Sequence, residues 1–133
     1  MKLDELKELK IDGIRSVSWD KRFCFYECSK NYVEEPKIFD VIGRFEVNGY
    51  KILEYNEYEM KFYKDYEIRQ ISIPILGKSY FNLKPVKPHI ITYLSYTKKQ
   101  MIDLLNNLKN NRLYYEKQKM VKEKLINLEN DFK

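Results

Sequence analysis

Not one of the 133 residues is alanine, although alanine is normally among the commonest residues. Lysine outnumbers arginine 20 to 5, and isoleucine, asparagine and tyrosine are abundant. This is the composition an AT-biased coding sequence produces. A low-GC bacterium, its phages or plasmids, an organelle or an AT-rich protist all fit it. Part of the lysine content therefore reflects codon usage rather than selected binding.

Other scarcities exclude chemistry. There are two cysteines and one histidine, too few for a four-ligand zinc site of the usual Cys/His kind without carboxylates or a second chain. In "FCFYECS", read as a strand, Cys24 and Cys28 share a face but lie about 13 Å apart, too far for a disulfide. Both are expected to be ordinary half-buried thiols. His89, the one histidine available as a triad base, follows Lys87 and Pro88 at an expected strand start, where a lone histidine is more often structural or exposed than catalytic. The four glycines, at 13, 43, 49 and 77, are isolated, so no phosphate-cradling loop is present. No run reaches the roughly 18 apolar residues of a membrane span, and "MKLDELKELK" is charged and amphipathic rather than a signal peptide. The expected location is cytoplasmic, or the host cytoplasm if the chain is phage-encoded, with no membrane partner.

What is present is aromatic and charged: 15% aromatic and 34% charged residues, the make-up of a folded chain. The length fits a single domain, residues 1–133. Charge is uneven along it. Residues 1–67 carry 12 basic against 15 acidic side chains, and residues 68–133 carry 13 against 5. Codon bias acts on the whole chain and explains the total better than the asymmetry. A basic half joined to an acidic half points to contact with nucleic acid or another acidic partner.

Leu3, Leu6 and Leu9 predict a short amphipathic N-terminal helix over 2–10, ending at Asp12 and Gly13. "IRSVSW" and "RFCFYECS" read as strands, with "DK" at 20–21 as their turn. "VIGRFEVNGYKILEY" is a hairpin in which Asn48 and Gly49 supply the two positive-φ positions of a type I′ turn. That register opposes Glu46 to Lys51 and Phe45 to Ile52, and places Val41, Phe45, Val47, Tyr50 and Ile52 on one face. "YNEYEMKFYKDYEIRQ", residues 55–70, has aromatics at helical spacing but no cap before Tyr55 and strong β propensity, so it reads as two strands around "KD" at 64–65. Pro74 limits the second of them to an edge, a bulge or an ending. "HIITYL" is one more strand.

After it the pattern changes. "TKKQ" at 97–100 matches a capping box, with Thr97 as N-cap and Gln100 at the third helical position. The helical segment 97–132 first uses Met101, Leu104, Leu105 and Leu108, with Tyr115 as a candidate to extend them, then Tyr114, Val121, Leu125, Leu128 and Phe132. The stripe slips around "NNLKNNR", whose asparagines lower helix propensity, so the segment is long, bent or paired. Unbroken, it would be about 52 Å long and would project from a domain whose radius of gyration is about 14 Å. Its apolar stripe either closes over the sheet as core or stays partly exposed and pairs with another chain, a second copy included. The fold class is α+β: a short N-terminal helix, a mainly antiparallel β-meander of about five to seven strands within residues 1–96, and the C-terminal helical segment.

Three functions follow, in order of preference. The first is a non-enzymatic binding protein without a cofactor, such as a phage or mobile-element accessory factor or an assembly subunit. It engages a larger protein or nucleoprotein complex through its basic C-terminal half. The second is direct, weakly sequence-specific nucleic-acid binding. Lys84, Lys87, Lys98, Lys99, Lys109 and Arg112 supply point charges for phosphates, as do Lys117, Lys119 and Lys122. Tyr114 and Tyr115 supply rings for stacking. Lys98 and Lys99 lie in the first turn of the helix, where free N–H groups suit an anion. The third is a metal-dependent nuclease, in which Glu59 and Lys61 project from one strand face and Asp40 adds a second carboxylate. Glu-x-Lys recurs at Glu5, Glu8 and Glu35, as chance in so charged a chain provides.

Overall fold

The computed structural model describes residues 1–23, 40–73 and 78–131. It is an α+β fold in the order α1 (Leu3–Lys7), β1 (Arg15–Phe23), β2 (Val41–Val47), β3 (Tyr50–Tyr55), β4 (Glu59–Phe62), β5 (Asp65–Ile73), β6 (Lys78–Val86), β7 (His89–Thr92) and α2 (Lys98–Asp131). Five strands form one antiparallel sheet ordered β1-β2-β3-β4-β7, and β5 and β6 pair as a separate two-stranded ribbon. The meander is therefore interrupted: β5 leaves the sheet, returns as β6, and only β7 rejoins it beside β4.

The central hairpin forms as its turn chemistry dictates. Asn48 and Gly49 have φ of 52° and 84°, which places both in the region a type I′ turn requires. Val47 pairs with Tyr50 and Glu46 with Lys51. The next step departs from simple alternation, because Phe45 faces Leu53 and Ile52 is the extra residue of a bulge. The bulge lets Ile52, Leu53 and Tyr55 all be buried, since an inserted residue re-aims the side chains around it. Tyr50 is the exception to the expected apolar face, at 58% exposed. The turn expected at residues 20–21 is also corrected. β1 runs through them without reversing, and its pairing with β2 becomes irregular between Ser18 and Phe23. Cys24, Cys28 and Pro74 lie outside the described residues.

The core fills the space between one face of the sheet and two helices. Phe45, Leu53, Tyr55, Met60 and Phe62 from the sheet meet Leu6 and Leu9 from the α1 region and Met101, Leu105 and Leu108 from α2. Burial of such side chains contributes roughly 1.5–3 kcal/mol each, so this cluster fixes where α2 begins. Thr97 and Gln100 fix how it begins: the Thr97 N–H donates to Gln100 Oε1 at 2.9 Å, and the Gln100 N–H donates to Thr97 Oγ1 at 3.1 Å. The Met1 amino group donates to the carbonyls of Tyr93, Leu94 and Tyr96, which ties the start of the chain to the loop that leads into this cap.

From there α2 continues as one helix of 34 residues, about 50 Å long. The asparagines do not break it. Asn111 donates its side-chain N–H to the Lys64 carbonyl, and Asn107 and Asn110 face solvent. Their propensity cost is small beside the burial of Leu105 and Leu108 on either side. Beyond the core the helix does not hang free, because it lies along the ribbon. There the Tyr115 ring packs tilted against Tyr66 of β5 with centres 5.3 Å apart, and Glu123 accepts the backbone N–H of Phe81 in β6 at 3.0 Å.

Candidate functional site

The inner face of α2 changes character midway. Met101, Leu105 and Leu108 are apolar and buried. One turn later the same face carries Arg112, which is only 6% exposed. Its guanidinium lies 4.5 Å from the ring centre of Tyr50 and 5.0 Å from that of Tyr66, a geometry in which both π faces attract the cation. Arg112 Nε donates to Glu116 Oε1 at 3.1 Å, and the other oxygen of Glu116 accepts from Asn48 Nδ2 at 3.0 Å. Burial raises the Tyr66 phenol above its ordinary value, with Arg112 opposing the rise through a hydrogen bond and its charge. A groove of about 400 Å³ opens between Asn48, Asn82, Leu83, Glu116 and Met120. This cluster fastens the hairpin turn and the ribbon to the helix.

Four of the candidate binding residues are engaged inward. Arg112 is the first. Lys109 donates to the Asp12 carbonyl at 3.0 Å, Tyr115 packs on Tyr66, and Lys119 pairs with Glu123 at 3.7 Å. Lys84, Lys87, Lys98, Lys99, Tyr114, Lys117 and Lys122 are exposed, but they do not form one surface. Lys84 belongs to β6, and Lys87, with φ of 54°, follows it. Lys98 shares a cleft of about 430 Å³ with Glu5, Glu8 and Lys10, so two carboxylates of the same chain already border that end of the helix.

On the outer side of α2 the structure assembles what the sequence pattern left open. Tyr114 is 58% exposed, Val121 46%, Leu125 56% and Leu128 53%. At 100° per residue these positions lie diametrically opposite Met101, Leu105, Leu108 and Arg112. The second stripe is therefore not the core stripe displaced by one position. It is a separate stripe on the opposite face, and it begins where Gln100, Asp103, Asn107 and Asn110 give way to Tyr114. Lys117, Lys122 and Lys124 flank it, all exposed. The acidic residues of this stretch, Glu116 and Glu123, point the other way, toward the hairpin and the ribbon. The charges that border the apolar strip are thus lysines, while the two carboxylates pair with Arg112 and Lys119 on the inner face.

The two buried carboxylates of the sheet, Glu46 and Glu54, are paired locally. Arg44 Nε lies 2.7 Å from Glu46, with the guanidinium over the Trp19 ring at 5.4 Å, and Glu54 sits between Lys51 at 3.4 Å and Lys61 at 3.9 Å. Lys61 is thus partnered by Glu54 across the strand. Asp40 borders a small cleft with Asn56, Glu57 and Tyr58. Among the described residues no three His, Cys, Asp or Glu side chains converge as metal ligands. His89 stacks on Phe62 with ring centres 5.3 Å apart and planes 10° from parallel. Among the described residues no helix is long and apolar enough to cross a membrane. Comparison with protein-family models, curated proteins and solved structures gave no match.

Proposed function

We propose that this protein is a non-enzymatic binding protein that attaches to a larger protein or nucleoprotein assembly through the outer face of its C-terminal helix. One observation carries this reading. Tyr114, Val121, Leu125 and Leu128 are exposed along one strip, interrupted by Gln118 and flanked by Lys117, Lys122 and Lys124. A soluble fold gains nothing by displaying such a strip to water, and rimmed apolar patches mark interaction sites. The other half of the helix already supplies the core, so the strip is not needed to hold the fold together.

The test is affinity recovery of the full chain from its native cells, with and without nuclease digestion, beside a variant carrying Lys117→Glu, Lys122→Glu and Lys124→Glu. The expected result is a specific protein partner that survives nuclease and is lost with the charge reversal. Recovery of the same proteins by both forms would overturn the reading.

Direct nucleic-acid binding is the second reading, supported by the exposed lysines and by Tyr114, which meets Tyr115 edge-on and is otherwise exposed. Arginine, the better base reader, has no exposed member on α2, so such binding would be weakly sequence-specific. It predicts a fluorescence-anisotropy signal with labelled single- or double-stranded DNA that falls steeply as salt rises. No signal at low salt would remove it.

A further inference from the structure

The outer strip has a spacing as well as a composition. Tyr114, Gln118, Val121, Leu125 and Leu128 follow one another at intervals of four, three, four and three residues. That is the alternation of the a and d positions of a coiled coil, with Gln118 and Leu125 at a and Tyr114, Val121 and Leu128 at d. These five positions span about 80° of the helix circumference at 100° per residue, and the exposed Leu113 and Met120 lie outside them, on the far side of Lys117 and Lys124. Lys117 and Lys124 separate those two side chains from the seam, and an a/d seam bordered by charge suits one partner helix.

The residues that flank an a/d seam decide which helix is accepted. Here Lys117 and Lys124 fall at g and Lys122 at e, and all three are exposed. A second copy in parallel would bring Lys117 against Lys122 of its mate and satisfy only Lys124, against residue 129. An antiparallel copy would set g lysines against g lysines. The chain's net charge of +5 adds to that repulsion. A helix with acidic residues at its own e and g positions satisfies all three lysines at once. Glu116 and Glu123 do not neutralise the seam from within, because they are occupied by Arg112, Asn48 and Phe81 on the opposite side.

We infer that the outer face of α2 from Tyr114 to Leu128 is one half of a heterotypic coiled coil, and that its occupant is an amphipathic helix of another protein with an apolar a/d seam and glutamate or aspartate at the flanking positions. The strip is about 21 Å long, or two heptads, which fits a short docking helix rather than an extended rod. Packing supplies the affinity and the lysines supply the selection, as flanking charges do in other coiled coils. Gln118 is the polar residue within the seam, and such a residue fixes register. The inference rests on the reading that α2 is a docking element and adds the chemistry of what docks.

The probe is a labelled synthetic helix of about 21 residues with leucine at a and d and glutamate at e and g, beside a second peptide with lysine at e and g. Fluorescence anisotropy with the full chain is expected to show saturable binding of the acidic peptide, at least tenfold tighter than the basic one. Leu125→Glu should weaken the acidic peptide at least tenfold while leaving the circular dichroism spectrum and thermal midpoint unchanged, since Leu125 is exposed. The triple variant Lys117→Glu, Lys122→Glu and Lys124→Glu should invert the ranking of the two peptides.

Equal binding of both peptides, or binding indifferent to Leu125→Glu, would overturn the inference. So would a dimer of the protein alone that Leu125→Glu dissolves in sedimentation, which would name a second copy as occupant. Capture by anionic phosphatidylserine vesicles without peptide binding would overturn it in favour of a lipid surface. If the cellular partner is lost with the lysine reversal but kept by Leu125→Glu, the docking function stands and the coiled-coil geometry fails.

Discussion

The guanidinium of Arg112 lies between the rings of Tyr50 and Tyr66, 4.5 Å from one centre and 5.0 Å from the other. One side chain thereby joins the β2–β3 hairpin, the β5–β6 ribbon and the midpoint of α2. Arg112→Ala leaves Glu116 half-buried without its cation and removes the guanidinium that both tyrosine rings contact. A cost of about 3 kcal/mol is expected, the lower end for breaking a buried pair. Arg112→Lys should recover little of it, because an ammonium lacks the planar fork that stacks and pairs at once. Chemical denaturation of the three forms reads this directly, and equal stability of the alanine and wild-type chains would contradict it.

Gly43 is required by its neighbour rather than by its backbone angle. A Cβ built there would lie 2.2 Å from the Tyr55 hydroxyl oxygen and 2.3 Å from Cζ. Tyr55 is fully buried, so its ring has nowhere to go. Gly43→Ala is therefore expected to cost about 1–3 kcal/mol, the usual range for overpacking. Shortening the ring as well, in Gly43→Ala with Tyr55→Leu, should cost less than the sum of the single changes, since the two residues share the space. Additive costs in urea denaturation would show that the clash is not the cause.

The capping box at the start of α2 should act as a unit. Thr97→Ala removes the acceptor for the Gln100 N–H and is expected to cost about 1 kcal/mol. Gln100→Ala removes the reciprocal bond from the other side. The double variant should lose less than the two single variants together, because each bond orders the residue that makes the other. A thermal-unfolding series checks this.

What was legible in the sequence was mostly what neighbours along the chain decide. Asn48 and Gly49 impose the turn by their own backbone preference, and Thr97 and Gln100 cap the helix across three residues. Residues 55–70 were legible as strand for the same reason, since the two strands come from β propensity and the absence of a cap. The misread parts depend on distant partners. The bulge at Ile52 follows from the demand to bury Ile52, Leu53 and Tyr55 at once. The departure of β5 and β6 from the sheet follows from α2, which offers Tyr115 to Tyr66 and Glu123 to Phe81. The candidate surface was half legible. The spacing of Tyr114, Val121, Leu125 and Leu128 is plain in the sequence, but their direction is not. It is set by Arg112, Glu116 and Glu123, polar residues whose place on the inner face no apolar periodicity announces.

The Tyr55 hydroxyl is buried and has no hydrogen-bond partner among the described residues. Removing an unpartnered buried polar group is near neutral or stabilising, so Tyr55→Phe is expected to hold or raise stability at pH 7. The same burial pushes the Tyr55 phenol from its ordinary value of 10.0 up to about 12. A group whose folded value is raised stabilises the fold fully below the unfolded value and loses that contribution as pH rises through the folded one. Between about pH 10 and 12 the unfolded chain ionises Tyr55 while the folded chain keeps it neutral. Wild-type stability should therefore fall faster than that of Tyr55→Phe across this window, and the gap between them should widen with pH. Urea midpoints at pH 7, 9, 10 and 11 measure it. A constant gap would mean that Tyr55 ionises as readily in the folded protein as in the unfolded chain.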